Sequence, residues 1–371
     1  MAQQPTHQVF TEVTVHDPAG AAVARHTAGE IALKIGFSAE RSAEIKLIAS
    51  ELAYNHVNHV TQNGVIRISS WNGSTIPGLT ITSLDRGPGI ENIHAALAGR
   101  KPDRKGLGAG LISVQRLADR FAVWSAAATD KNCRLPREGN DPVTVITASC
   151  RPQHSPGHFI DRNNFAISVL IQPKKAETSC GDNVFLQEDK RYSRITIVDS
   201  PGVKSAAAMT SHIGRELERL ALIWPPGQVL ETLENTLRST PGAAVHIMRL
   251  DRMAGELQCC CIGNIKPYLI IDNNLIEPPV QPAGAGIDRW RQIQSATYRS
   301  IRSVDCCMHT DGLNFLSKER INSVLTCLAG QPLPAQTADT VDVELAAHIL
   351  FQSNPGRRDD AALLIWRWHH R

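Results

Sequence analysis

Nowhere in the 371 residues does an apolar run approach the roughly 20 positions that cross a bilayer. The longest runs, such as residues 361–366, are strand-sized, so neither a membrane-spanning nor an anchored protein is expected. The opening residues, Met1-Ala2-Gln3-Gln4-Pro5, lack the basic-then-apolar order of a secretory leader, which points to cytoplasmic residence. An excess of one charge is missing too. Against 39 Lys and Arg stand 36 Asp and Glu, a formal net charge of +3, so no domain-wide basic field exists to draw nucleic acid. The nine cysteines lack the two-residue pairing of a zinc site, and Cys259-Cys260-Cys261 and Cys306-Cys307 read as reduced core residues on strands. No internal repeat or low-complexity tract appears. With 42% hydrophobic and 20% charged residues the composition is that of a folded protein, and the length suits two domains of about 100 to 200 residues each.

The first 150 residues alternate strand and helix. Residues 8–15 alternate apolar and polar like a half-buried strand, and Asp17 is placed to cap a helix running to Gly36. Ser38 suits the N-cap of a second helix, in which Ile45, Ile48 and Leu52 recur at helical spacing as far as His59. Asn63-Gly64 turns the chain into a strand at 65–69, and 79–84 forms the next. Two more helices and two strands, ending near Cys150, complete the unit. Residues 151–164 carry Pro152, Pro156, Gly157 and a polar tetrad without periodicity, the marks of a linker. From 165 to 371 strands dominate, at 165–171, 183–187, 194–198, 244–250, 258–262, 268–271, 303–309 and 361–366. The helical stretches between them, 205–223, 227–238, 318–328 and 342–351, suit layers packed outside a sheet pair.

On the second helix Glu51 and Asn55 are four apart and share a face: one is a carboxylate able to take a proton, the other a neutral oxygen suited to Mg²⁺. Alone, such a pair is usually two solvated polar residues. Two further elements follow in order. Asp85-Arg86-Gly87-Pro88-Gly89-Ile90 closes a strand, its aspartate able to accept from an amino group such as that of adenine. Gly106-Leu107-Gly108-Ala109-Gly110-Leu111 then opens a helix, offering bare amides to phosphate oxygens. This order resembles the Bergerat-fold, or GHKL, ATPases over residues 8–150. The short lid at 98–105 and the stretch from Ile35-Gly36-Phe37 to Asn55 look most like the anti-sigma-factor serine kinases of bacterial stress signalling. No phosphoacceptor-histidine helix precedes the fold, which argues against a histidine kinase.

The resemblance implies an α/β sandwich with a helix-covered sheet, ATP with Mg²⁺ as cofactors, Glu51 as the group activating a substrate hydroxyl, and Asn55 as the Mg²⁺ ligand. It further implies Asp85 as the adenine contact, in the turn with Gly87 and Gly89, and Gly106, Gly108 and Gly110 as the phosphate cradle. Lys101, Arg104 and Lys105 are lid cations that could offset phosphate charge, and a solvated lid explains them equally well. His56 and His59 read as packing or surface residues. Residues 129–141 form a polar insertion outside the pattern.

In the second half acidic residues sit at strand ends: Asp182 in Cys180-Gly181-Asp182-Asn183, Asp199 after Ile195-Thr196-Ile197-Val198, Asp311 in Thr310-Asp311-Gly312-Leu313, and Asp359-Asp360 before the last strand. Each alone is more often a turn residue. Taken in order, with Gly263-Asn264 between strands, they resemble the PPM-type serine/threonine phosphatases of the sporulation and stress-response branch, over 165–371. That resemblance implies an αββα sandwich, two Mn²⁺ or Mg²⁺ ions, and Asp182, Asp199, Asp311 and Asp359 as ligands with Asp360 beside them. The family's metal-binding carbonyl belongs to a glycine, here replaced by Ser200. Serine still owns a carbonyl, but it resists positive φ and Pro201 restricts it further, so weakening of one metal site is the rival outcome.

Together the resemblances imply a bifunctional switch of bacterial partner switching: an ATP-dependent protein serine kinase joined to a phosphoserine phosphatase, acting on anti-sigma-factor antagonist or scaffold proteins. The sequence leaves room for a homodimer. The alternative is an ATP-binding sensor domain, without kinase activity, that gates a weakened phosphatase.

Overall fold

The computed structural model describes residues 10–59, 64–72, 77–98, 109–128, 142–153, 165–174, 180–201, 203–287, 293–329, 343–351 and 359–370. Gly106, Gly108, the lid cations Lys101, Arg104 and Lys105, and the insertion at 129–141 lie outside them. The chain forms two compact units, one of residues 8–162 with 330–353, the other of residues 1–7, 163–329 and 354–371.

The first unit is built on an antiparallel sheet, ordered β1 (Phe10–Val15), β2 (Gly64–Asn72), β3 (Pro77–Asp85), β5 (Thr144–Cys150), β4 (Arg120–Ser125). Helices α1 (Pro18–Lys34) and α2 (Ala39–His59) pack together against it, with α3 (Ile93–Leu97) and α4 (Ala109–Leu117) beyond. The caps are those the residue types demand. Asp17 accepts from the Gly20 amide at 2.8 Å and Ser38 Oγ from the Arg41 amide at 3.1 Å. Ile45, Ile48 and Leu52, at helical spacing, are fully buried with Ile66, Ile68 and Ile81 of the sheet. Arg41, also buried, donates to Asp119 at 2.8 Å, to the Leu117 carbonyl at 2.8 Å and to the Arg151 carbonyl at 3.1 Å. That network ties the start of α2 to the end of α4 and so fixes the helix carrying Glu51.

The second unit has two five-stranded sheets face to face. One is ordered β13 (Ser295–Tyr298), β10 (Glu256–Ile262), β9 (Ala244–Asp251), β8 (Tyr192–Asp199), β7 (Asn183–Glu188). The other runs β12 (Asn274–Ile276), β11 (Lys266–Ile271), β14 (Ser303–His309), β15 (Ala361–His369), β6 (Phe165–Gln172). Side chains alternate between layers. Cys259 and Cys261 join Ile195, Met248, Cys306 and Trp366 between the sheets, whereas Cys260 faces outward with Val245 and Ile247 onto α5 (Val203–Arg219) and α6 (Pro226–Leu237). Helix α7 (Lys318–Ala329) covers β14 and β11 on the opposite side, completing an αββα sandwich. Among the described residues seven cysteines are free thiols, in keeping with reduced residues, but Cys327 is disulfide-bonded.

Helix α8 (Val343–Phe351) comes from the second half of the sequence, yet residues 330–353 group with the first unit. Sequence order alone assigns them to the second. All nine residues of α8 are buried, packed on β5 and β4, so the helix completes the first unit's core. Among the described residues no helix is long and apolar enough to cross a membrane.

His246 on β9 is fully buried, neither ring nitrogen has a hydrogen-bond partner, and burial pulls its pKa down to about 3. An unfolded histidine protonates near 6.5. As pH falls from about 6.5 towards 3, the unfolded chain therefore takes a proton that the folded one refuses, and stability drops by about 1.4 kcal/mol per pH unit. Denaturant unfolding of wild type and His246→Leu at pH 6.5, 5.5 and 4.5 should show the wild type losing stability more steeply by that amount. Parallel pH dependences would remove this role.

Candidate active sites

In the first unit α2 holds Glu51 and Asn55 one turn apart, both half-buried. The start of α4 comes down on them. A Cβ at Gly110 would sit 2.7 Å from Glu51 Oε2 and 3.9 Å from Asn55 Oδ1, so a side chain there would displace the Glu51 carboxylate. Two of the three sequence elements are thus one place: carboxylate, amide oxygen and the amide end of a helix. The third is a turn at the end of β3. Asp85 Oδ1 accepts from the Gly87 amide at 2.8 Å, and burial raises its pKa from the ordinary aspartate value. Gly89 has φ +82°, and a Cβ there would meet Ala127 Cβ at 2.7 Å and Val143 Cγ1 at 2.9 Å.

Ser125, which the sequence does not flag, holds this turn. Its Oγ accepts from the Ile90 amide at 2.8 Å and the Ala127 amide at 3.3 Å. His56 is a packing residue. It is buried with Nε2 2.6 Å from Ser83 Oγ, and burial lowers its pKa to about 4. His59 is exposed at the end of α2.

In the second unit a cleft of about 480 Å³ is lined by Asp182, Asp199, Ser200, Asp311 and Asp359, together with Asp360, Asn264 and Lys174. Sheet register brings them there. Asn183 pairs with Val198, so Asp182 and Asp199 leave β7 and β8 side by side. His309 pairs with Leu363, so Asp311 and Asp359 lie at one end of β14 and β15. Burial and then the Asp199 charge push Asp182 well above the ordinary range. Asp199 rises to about 6, through burial and then the charges of Asp311 and Asp359. Asp199 Oδ2 is buried with no hydrogen-bond partner.

Crowded carboxylates and an unpartnered buried oxygen fit a hard divalent cation, which would reverse the local electrostatics. Among the described residues no three such groups close around one point, so the carboxylates line the cleft rather than form a tight cage.

Ser200 accommodates its departure from glycine without left-handed backbone; among the described non-glycine residues only Asp272, Asn273 and Ser300 have positive φ. Its Oγ donates to the Gly181 carbonyl at 2.7 Å, and its own carbonyl approaches so closely that a Cβ at Gly181 would lie 2.3 Å away. Asp360 is a positioning group: its oxygens accept from the Lys174 amide at 2.8 Å and the Gly181 amide at 2.6 Å. Two further contacts escape a sequence reading. Thr310 Oγ1 donates to Asp182 Oδ2 at 2.6 Å while accepting from the Ala362 amide at 2.8 Å, and Asn264 Nδ2 donates to Asp311 Oδ2 at 2.7 Å.

Residues 14–133 match the histidine kinase-like ATPase domain family. The serine/threonine-protein kinase RsbT of Bacillus subtilis is 36% identical to this chain over 104 residues, which are 28% of this chain and 77% of RsbT. Among solved structures, RsbX in complex with magnesium is similar over 56% of this chain and 98% of its own, at 19% identity and a TM-score of 0.47. The serine/threonine phosphatase PstP/Ppp of Mycobacterium tuberculosis is similar over 56% of this chain and 99% of its own, at 13% identity and a TM-score of 0.40.

Proposed function

The chain belongs, through its first unit, to the histidine-kinase-like ATPase family that includes the RsbT serine/threonine kinase, and from that premise we propose a bifunctional partner-switching regulator. One unit phosphorylates serine on an anti-sigma-factor antagonist or scaffold protein, and the other removes phosphate from such a protein. The observation that carries the kinase half is the approach of Gly110 to Glu51 and Asn55, which sets a proton acceptor and a metal-suited oxygen at a helix N-terminus. In this reading Glu51 takes the serine proton, Asn55 holds Mg²⁺, and Asp85 accepts from the adenine amino group in the turn of Gly87 and Gly89. The amides of Gly106, Gly108 and Gly110 cradle phosphate. Bound Mg²⁺ would supply neutralisation of the phosphate charge.

For the phosphatase half, Asp182, Asp199, Asp311, Asp359 and the Ser200 carbonyl would hold Mn²⁺ or Mg²⁺, and those ions would supply Lewis-acid chemistry for phosphoester hydrolysis. Asn264 and Thr310 orient Asp311 and Asp182, and Asp360 holds the loop before Asp182. The rival, an ATP-binding sensor gating a weakened phosphatase, draws its support from Ser200, whose carbonyl is pressed against Gly181.

Purified protein incubated with labelled ATP, Mg²⁺ and candidate antagonist proteins should transfer label to serine. Clear nucleotide binding with no phosphoserine on any candidate would decide for the sensor.

A further inference from the structure

The cleft of the second unit has an apolar wall that hydrolysis does not use. Besides the carboxylates it is lined by Pro201, Ala243, Pro282, Ala283 and Ile287, whose side chains can neither bind a metal nor move a proton. Ile287 is 63% exposed. A single exposed apolar residue is ordinary, but the backbone under this one is firmly held. Gly284-Ala285-Gly286-Ile287 is a turn closed by the Ile287 amide on the Gly284 carbonyl at 3.2 Å, and Gly286, at its third position, has φ +84°. Ala285 exchanges backbone hydrogen bonds with Ala243 at 2.9 and 3.0 Å, and the buried Glu234 of α6 accepts from the Gly286 amide at 2.7 Å. The Ile287 side chain then lies across two glycines: a Cβ at Gly242 would meet its Cγ1 at 2.4 Å, and one at Gly284 its Cδ1 at 2.9 Å. The fold thus fixes an isoleucine at the rim of the cleft and leaves it uncovered.

Rim and carboxylates line one space of about 480 Å³. Pockets of about 300 to 1,000 Å³ take whole small molecules, so this one holds more than a phosphate group. A phosphoserine that brings its phosphate to Asp182, Asp199 and Asp311 carries its neighbours in sequence to the same cleft. We propose that the rim around Ile287 receives one of those neighbours, so that the cleft selects phosphoserine flanked by an aliphatic residue such as leucine. A charged neighbour would lose water against a wall that offers its side chain no partner. Each methylene buried corresponds to about a fourfold gain in binding, so leucine, partly covered, should exceed alanine about tenfold in kcat/KM. The inference rests on the phosphatase reading of the cleft.

The test uses the full chain with Mn²⁺ and four phosphoserine peptides, identical except that leucine, alanine, lysine or aspartate stands on both sides of the phosphoserine. Released phosphate gives kcat/KM for each. Ratios between peptides within one preparation cancel its folded and metal-loaded fractions, so a poorly folding variant still reports. Wild type should favour leucine over alanine about tenfold, with lysine and aspartate below alanine. Ile287→Asn should bring the leucine-to-alanine ratio to within about twofold of unity, whereas Ile287→Val should keep most of it. Equal rates on all four peptides, or a leucine preference that survives Ile287→Asn, would remove the rim from substrate selection and leave the phosphatase standing. Preference for lysine would assign selection to the carboxylates instead. Wild type that releases no phosphate from any peptide with Mn²⁺ would overturn the phosphatase reading itself, and the rim's role with it.

Discussion

Asp311→Asn should lower Mn²⁺-dependent phosphate release from a phosphoserine protein by about a hundredfold or more. A metal contribution of several kcal/mol to the transition state corresponds to at least that factor. The substitution changes one oxygen for an amide and leaves the volume alone, so the fold should survive. Asn264 Nδ2 now donates to Asp311 Oδ2, and an asparagine could offer its own carbonyl to the same donor. A second signature separates lost chemistry from lost structure. The Asp311 charge is among the causes holding Asp199 up near 6, so removing it should bring Asp199 down.

Asp360→Asn predicts the contrary pattern. Both its oxygens accept backbone amides, so an NH₂ there would face a donor and loosen the loop before Asp182. Thermal midpoint and turnover should then fall together, whereas Asp311→Asn should lower turnover at a nearly constant midpoint. Unchanged phosphate release by the Asp311 variant would overturn the metal assignment.

What the sequence disclosed follows from what local periodicity can encode. Ile45, Ile48 and Leu52 name a helix face, and Cys259-Cys260-Cys261 in a strand must alternate between layers, as they do. The edge strands β12 and β13 were not legible, because Asn274–Ile276 and Ser295–Tyr298 are short and partly exposed, with no apolar alternation strong enough to mark them. Residues 343–351 are legible as a helix, but with every residue buried no polar face records which sheet the helix meets, and its place in the first unit stayed hidden. The same limit governs the sites. Aspartates at strand ends can be read in order because strand pairing gathers strand ends. Ser125, Asn264 and Thr310 are small polar residues of a kind found throughout the chain, and only the fold says which of them touches a turn amide or a carboxylate.

Glu51→Gln should reduce phosphoryl transfer to a protein serine by about 10² to 10⁴, the range for loss of a general base, while nucleotide affinity stays within about threefold. Glutamine has the shape of glutamate, so the close packing of Glu51 against Gly110 is preserved and the start of α4 stays where it is. What disappears is the oxygen able to accept the serine proton, and with it the negative charge beside the helix N-terminus. Loss of that charge removes a repulsion towards phosphate, so nucleotide binding should hold steady or tighten even as transfer falls. Asn55→Ala should behave in reverse, because Asn55 Oδ1 faces the same glycine one helical turn on and is proposed to meet Mg²⁺ rather than the serine. Its Mg²⁺-dependent nucleotide affinity should drop by about tenfold, with the transfer step impaired only in consequence. Transfer by Glu51→Gln at the wild-type rate would mean that another group receives the proton. If wild type transfers nothing while Asn55→Ala still loses Mg²⁺-dependent nucleotide binding, the first unit senses nucleotide, and phosphate removal is the chain's one reaction on protein.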